Sequence, residues 1–194
     1  MAFYTGYQII PITTYLAFKN TVAGNGYDAD GYYGDQCWDL AAEFWYNAGF
    51  GKGYPKTGSN HSAYECWTVN KEVNAGDKFD LIYNLEDVNQ GDVVVFNQSS
   101  LSSTGHIGFA DADYSGNATL AILGQNQGTT GLPIPIVNPA GGTTANVTSI
   151  GTADFLGAFR YKAWHDKPTP TPNYKKSKFP WVLYSRKLNH IRNM

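Results

Sequence analysis

The sequence predicts an α+β fold in which N-terminal helices pack on an antiparallel β-sheet. Three observations carry this expectation. The first 76 residues hold three segments with apolar side chains at helical spacing. From residue 91 the pattern changes to short β-branched or alternating runs separated by Gly, Asn, Asp and Ser. Helices first and strands afterwards is the order of α+β domains, not of alternating βα units. Composition agrees: 194 residues, 42% hydrophobic and 15% aromatic, suit one domain with a real core, and 21 Gly and 14 Tyr favour turns and short strands.

The first helix is expected in "ITTYLAFKNTVAG" (12–24), which has a Thr cap signal, Tyr15, Leu16, Phe18 and Val22 at helical spacing, and a closing glycine. An acidic loop, "DADGYYGDQCWD" (28–39), follows. The strongest helix is "CWDLAAEFWYNAGF" (37–50), with Leu40, Ala41, Phe44, Trp45 and Ala48 on one face and Gly49 at its end. Residues 51–61 read as loop. A third helix is expected over 62–76, where Ser62 and Glu65 have capping-box spacing. Strands are expected at 91–97, 106–114, 119–127 and 155–164, and an irregular excursion at 128–152. These elements make up one body, residues 1–165. A Pro/Thr linker (166–174) and a basic, aromatic tail (175–194) follow.

The net charge of −2 conceals an asymmetry. From residue 167 onward there are seven basic residues and no acid, which leaves the first 166 residues at −9 (seven basic against 16 acidic). An acidic body argues against a nucleic-acid-binding fold, and no run is long and apolar enough to span a membrane. The N-terminus has neither a basic n-region nor a long apolar core, so no signal peptide is expected. Two cysteines, Cys37 and Cys66, do not make a disulfide framework.

Chemistry is concentrated near Cys37. A thiol at the start of a helix feels the positive end of the dipole and unpaired amide N–H groups, which favour thiolate. A small buried hydrophobe is the other reading of the same position. His106 opens a strand, from which an imidazole can reach a helix start packed on the sheet. His61, His165 and His190 lie in a polar loop, at the domain end and in the tail. Asn126, at the end of the next strand, has an amide able to hold an imidazole in one tautomer. Gln36, just before Cys37, can polarise a substrate carbonyl. Asp28, Asp30 and Asp39 are hard oxygen ligands around Gly31, and carbonyls of Tyr32 and Gly34 can complete a calcium-type shell. By spacing alone, a metal-free acidic turn is an equal reading.

Together these blocks resemble the CHAP family, cysteine- and histidine-dependent amidohydrolases/peptidases of papain-like fold. The resemblance covers roughly residues 10–163. It rests on "DADGYYGDQCWDLA" (28–41), "GDVVVF" (91–96), "GHIGFA" (105–110), "ILGQNQG" (122–128) and "FLGAFR" (155–160). The first block is the specific one: many CHAP domains of phage lysins share its D-x-D-G-x-x-G-x-Q-C-x-D run. The resemblance implies Cys37 as nucleophile, His106 as general base and then acid, and calcium held by Asp28, Asp30 and Asp39 with backbone oxygens of Tyr32 and Gly34. It implies cleavage of a peptidoglycan amide bond, by an endopeptidase or an N-acetylmuramoyl-L-alanine amidase. The setting it implies is a phage endolysin released through a holin, or a lysin carried in a virion.

One departure stands out. Many relatives read Glu-x-Asn where this chain reads Gly124-Gln125-Asn126, so Asn126 is expected to orient His106 unaided. An inactive wall-binding or structural virion component that keeps the fold is the competing class. The tail's cations could serve anionic wall polymers, membrane surfaces or a virion protein, or form a plain terminal extension.

Overall fold

The computed structural model describes residues 1–32, 34–99, 102–127 and 143–165. The linker and tail expected at 166–194 lie outside the described residues, as does most of the excursion at 128–152.

The chain opens with strand β1 (Phe3–Thr5), helix α1 (Tyr15–Val22) and strand β2 (Gly26–Asp28), where β1 and β2 form a small parallel pair. Helix α2 (Cys37–Asn47) follows, then two short helices, α3 (Glu65–Thr68) and α4 (Lys71–Ala75). Six strands then make one sheet: β3 (Phe79–Ile82), β4 (Val93–Phe96), β5 (His106–Ala110), β6 (Thr119–Gly124), β7 (Asn146–Gly151) and β8 (Phe155–Tyr161). Their order is β3-β8-β4-β5-β6-β7, and every neighbouring pair is antiparallel. A last turn, α5 (Lys162–His165), leaves β8. This is the expected α+β architecture, with helices on an antiparallel sheet.

Helix α1 starts where Thr14 Oγ1 accepts the N–H of Ala17, and its Phe18 and Val22, one turn apart, are fully buried. Helix α2 buries Leu40, Ala41, Phe44 and Trp45. Its Phe44 meets Phe18 and Phe109 edge-on, at ring centroids 5.3 and 5.2 Å apart. The sheet is covered on both faces. Val93 and Val95 face the helices, while Val94 and Phe96 join Leu120, Ile122 and Ile150 on the far side. Burial on both faces is why β4 reads as an unbroken apolar run.

Several elements differ from expectation: β1 and β2 were not expected, the strand expected at 106–114 stops at Ala110, and the one expected at 155–164 stops at Tyr161, where α5 takes over. The helix expected over 62–76 is broken at residues 69–70, because Asn70 and Asn74 turn their side-chain amides to the backbone of Thr57, Lys56 and Cys66. Strand β3 was not expected. Strand β7 lies at the end of the predicted excursion, since only Thr148 and Ile150 of its six residues point inward. The strand expected at 119–127 leaves the ladder at Gly124, which frees residues 125–127 to act as a loop.

Candidate active site

Cys37 is the first residue of α2, and α2 packs against β5. The residue is buried, with 7% exposed, and the backbone N–H of Ile107 on β5 is near enough to act on its thiol. Ile107 is the chain neighbour of His106, so the thiol and the imidazole share one end of the sheet. There β5 and β6 have splayed: their pairing covers only Phe109 with Leu123 and Ala110 with Ile122. His106 is fully buried, and its Nδ1 has no hydrogen-bond partner among the described residues.

Burial sets the charge state. It pushes the Cys37 thiol up to about 11, although the N–H groups of Ile107, Trp38 and Cys37 itself pull the other way. It pushes the His106 imidazolium down to about 4, against the opposing hydrogen bond to Gln127. The helix start is expected to favour thiolate. Here burial outweighs the first-turn N–H groups and raises the thiol, while the same burial favours the uncharged imidazole.

Residues 124–127 hold the site together through three amide side chains. Gln125 is buried and grips β2: its Oε1 accepts Tyr27 N–H at 2.9 Å, and its Nε2 donates to Tyr27 O at 2.8 Å and Gln36 O at 3.1 Å. Asn126 corrects an expectation. Its Nδ2 donates to Gln36 Oε1 at 2.6 Å, so it serves the residue before the thiol and not the imidazole. The partner of His106 Nε2 is Gln127 Oε1, at 2.9 Å. Gln127 Nε2 donates in turn to Ile122 O and Asn146 O, each at 2.7 Å.

No residue pattern signals Gln127 directly. Alternation along a strand would put residues 124 and 126 on the face of His106. Asn126 instead adopts φ +51°, a left-handed conformation that breaks the alternation and turns residue 127 toward the ring.

The acidic cluster forms as its spacing suggested. Carboxylate oxygens of Asp28, Asp30 and Asp39 all lie within 4.8 Å of one another. Asp39 is buried on the first turn of α2, where its Oδ1 accepts Ala29 N–H and its Oδ2 accepts Gln36 N–H. Burial pushes its carboxyl up to about 8, helped by the charges of Asp30 and Asp28. Asp30 is also raised, by burial and by Asp28. Oxygen ligands 2.3–2.6 Å from one calcium ion lie at most about 5 Å apart, so this donor set fits such an ion. Tyr32 and Gly34 belong to the same turn: Tyr32 gives its N–H to Asp30, and Gly34 has φ +71°.

An open cleft of about 800 Å³ runs past the thiol. Gln36, Cys37, Trp38 and Asp30 line one side, and Thr57, Asn60, His61 and Thr104 also line it. Glu65 shapes the loop at 58–62, accepting the N–H groups of Asn60 and Ser62. His61 therefore lies in the cleft, which its polar-loop setting had not suggested. His165 lies apart on α5, 3.5 Å from Asp92, and His190 is outside the described residues.

The CHAP domain family model matches residues 26–126, a span from β2 to Asn126 that stops one residue short of Gln127. A D-alanyl-L-alanine endopeptidase of Streptococcus phage B30 is 30% identical over 163 residues, which is 84% of this chain and 33% of that protein. The chain thus spans about a third of the length of that relative. Among solved structures, the wild-type endolysin LysIME-EF1 superposes with a TM-score of 0.56 at 22% identity, covering 78% of this chain and 64% of that one. That likeness reports the fold. The matched family span contains the thiol, the imidazole and all three clustered carboxylates, and this chain belongs to the CHAP domain family.

Proposed function

We propose that this protein hydrolyses an amide bond of bacterial peptidoglycan by a Cys–His mechanism, as a phage endolysin or a virion-carried lysin. The observation that carries the reading is Cys37, lining an open cleft at the start of α2, where that helix packs on the strand that opens with the buried His106. The likeness to the D-alanyl-L-alanine endopeptidase of phage B30 favours an endopeptidase over an N-acetylmuramoyl-L-alanine amidase.

In this mechanism the Cys37 sulfur attacks the substrate carbonyl carbon as its proton passes to His106 Nδ1. The carbonyl π pair moves onto oxygen, where the first-turn N–H groups of α2 and the Gln36 amide oppose the charge. Collapse of the tetrahedral species breaks the C–N bond. The proton on His106 leaves with the amine, and a thioester remains. Water, deprotonated by His106, then releases the acid and restores the thiol. Asp28, Asp30 and Asp39, with the carbonyls of Tyr32 and Gly34, would hold a calcium ion. Such an ion supplies structural charge compensation that ties the turn at 28–34 to the start of α2. Wall polymers, or a virion protein engaging the cationic tail, are further proposed partners.

The test is turbidity loss of susceptible cell-wall preparations. Cys37→Ala is expected to abolish clearing while keeping the wild-type melting curve. Undiminished clearing by that variant rejects the hydrolase and favours a wall-binding component. Mass spectrometry of the wall digest assigns the bond, with a new peptide amine for the endopeptidase and a free lactyl carboxyl for the amidase.

A further inference from the structure

The hydrogen bonds of Gln127 leave its amide one orientation. Nε2 faces two carbonyl oxygens, Ile122 O and Asn146 O, each at 2.7 Å. Carbonyl oxygens only accept, so the NH2 end belongs there and Oε1 belongs against His106. The contact from Oε1 to His106 Nε2, at 2.9 Å, then requires a proton on Nε2, because an amide oxygen has none to give. A neutral ring carries one N–H, which leaves Nδ1 with a bare lone pair. Nδ1 is the ring nitrogen that is buried without a partner among the described residues.

The geometry points to Gln127 as a positioning residue that fixes His106 in its Nε2–H tautomer and so makes Nδ1 the base for the Cys37 thiol. This rests on the Cys–His hydrolase reading above. Gly124 is the other half of the device. A Cβ at that position would stand 2.7 Å from Gln127 Oε1 and 3.3 Å from His106 Nε2. A glycine here leaves room for a side chain three residues on, and the left-handed turn at Asn126 delivers that side chain to the ring. The NH2 end of the amide is anchored to backbone carbonyls of β6 and β7, so these set the orientation of the ring at its other end.

Two readouts on the full chain test this. Nitrogen-15 NMR of histidine-labelled protein reports the tautomer without any turnover. Wild-type His106 is expected as the Nε2–H form at neutral pH. Gln127→Met keeps volume but removes donor and acceptor, and is expected to give a tautomer mixture. With it kcat on soluble wall peptides should fall on the order of 10²-fold while KM stays within about twofold. Gly124→Ala leaves Gln127 in the chain but pushes its amide away, and should reproduce both effects. Gln127→Glu sets a carboxylate against two carbonyls. It should be poor at neutral pH and recover on acidification, once its carboxyl can donate again. A purely packing role predicts no such pH profile. An unchanged Nε2–H tautomer in both Gln127→Met and Gly124→Ala overturns the inference, as does unchanged kcat. Wild-type protein that cleaves no wall peptide would sink the proposed function instead, with the NMR comparison still deciding the role of Gln127.

Discussion

Asn126 Nδ2 and Gln36 Oε1 are 2.6 Å apart, and this contact ties the loop after β6 to the residue that caps the helix opened by Cys37. With its oxygen engaged by Asn126, Gln36 can meet a developing oxyanion only through its NH2 group. Asn126→Ala is therefore expected to lower kcat roughly 10-fold or more by loosening an oxyanion donor. A double-mutant cycle with Gln36→Ala should be strongly non-additive, because both changes remove one function. His106 should keep its wild-type tautomer throughout. Additive losses would show that Asn126 acts elsewhere.

The neutral resting pair has a kinetic signature. A preformed thiolate would react with iodoacetamide at a rate independent of pH from the mildly acidic range upward. With the thiol pushed up to about 11 by burial, labelling of Cys37 should be slow at neutral pH and climb steadily into the alkaline range. Hydrolysis has the opposite requirement on its acid side: His106 must be uncharged, so activity should fall only as pH drops toward about 4. Stopped-time alkylation with peptide mapping reads the first, and initial rates across pH read the second. Fast labelling at neutral pH would replace the neutral pair with an ion pair.

Calcium should raise the melting temperature in a concentration-dependent way, since the carboxylate cluster exists only in the folded chain. Asp30→Asn should abolish most of that shift at small cost to the metal-free protein, because Asp30 is exposed. Asp39→Ala should lose the shift and also destabilise the metal-free protein by about 1–3 kcal/mol, because Ala29 N–H and Gln36 N–H lose their buried acceptor. Differential scanning fluorimetry with calcium and with chelator separates the two. An identical melting temperature in both solutions would remove the ion from the account.

The thiol, the imidazole and the acidic cluster were legible in the sequence because each depends on something local. The run at 28–39 is contiguous, Cys37 opens the best amphipathic helix, and His106 opens a clean strand. What escaped depends on tertiary detail. Gln127 reaches the ring only because Asn126 takes a left-handed conformation, which no residue pattern announces. The split between α3 and α4 follows from Asn74, whose buried amide bridges Lys56 and Cys66 and is worth more there than a continued helix. Strand β7 is half polar because its outward residues face solvent, so its alternation is weak and a Gly/Thr-rich neighbourhood masks it.

Glu43 gives the fold a pH dependence independent of the active site. It lies fully buried on α2, with Oε2 accepting the N–H of Gln8 and Oε1 lacking a hydrogen-bond partner among the described residues. Burial pushes its carboxyl from 4.5 up to about 7. Between those values the folded chain holds a proton that the unfolded chain releases, so stability is greatest below about 4.5 for this group and declines as pH rises to about 7. Above that it has no further slope. Glu43→Gln keeps an acceptor for Gln8 and removes the titration, so its melting temperature should be flatter across this window and gain on the wild type toward neutral pH. Paired thermal melts from pH 4.5 to about 7 read the difference. Parallel curves for the two proteins would place the pH dependence in another group. Because Gln8 and Ile10 both hang from α2, through Glu43 and Asn47, ionisation of Glu43 should loosen the N-terminal segment first. Faster amide exchange at residues 6–10 with rising pH, beyond the intrinsic rate, is the local form of the same prediction.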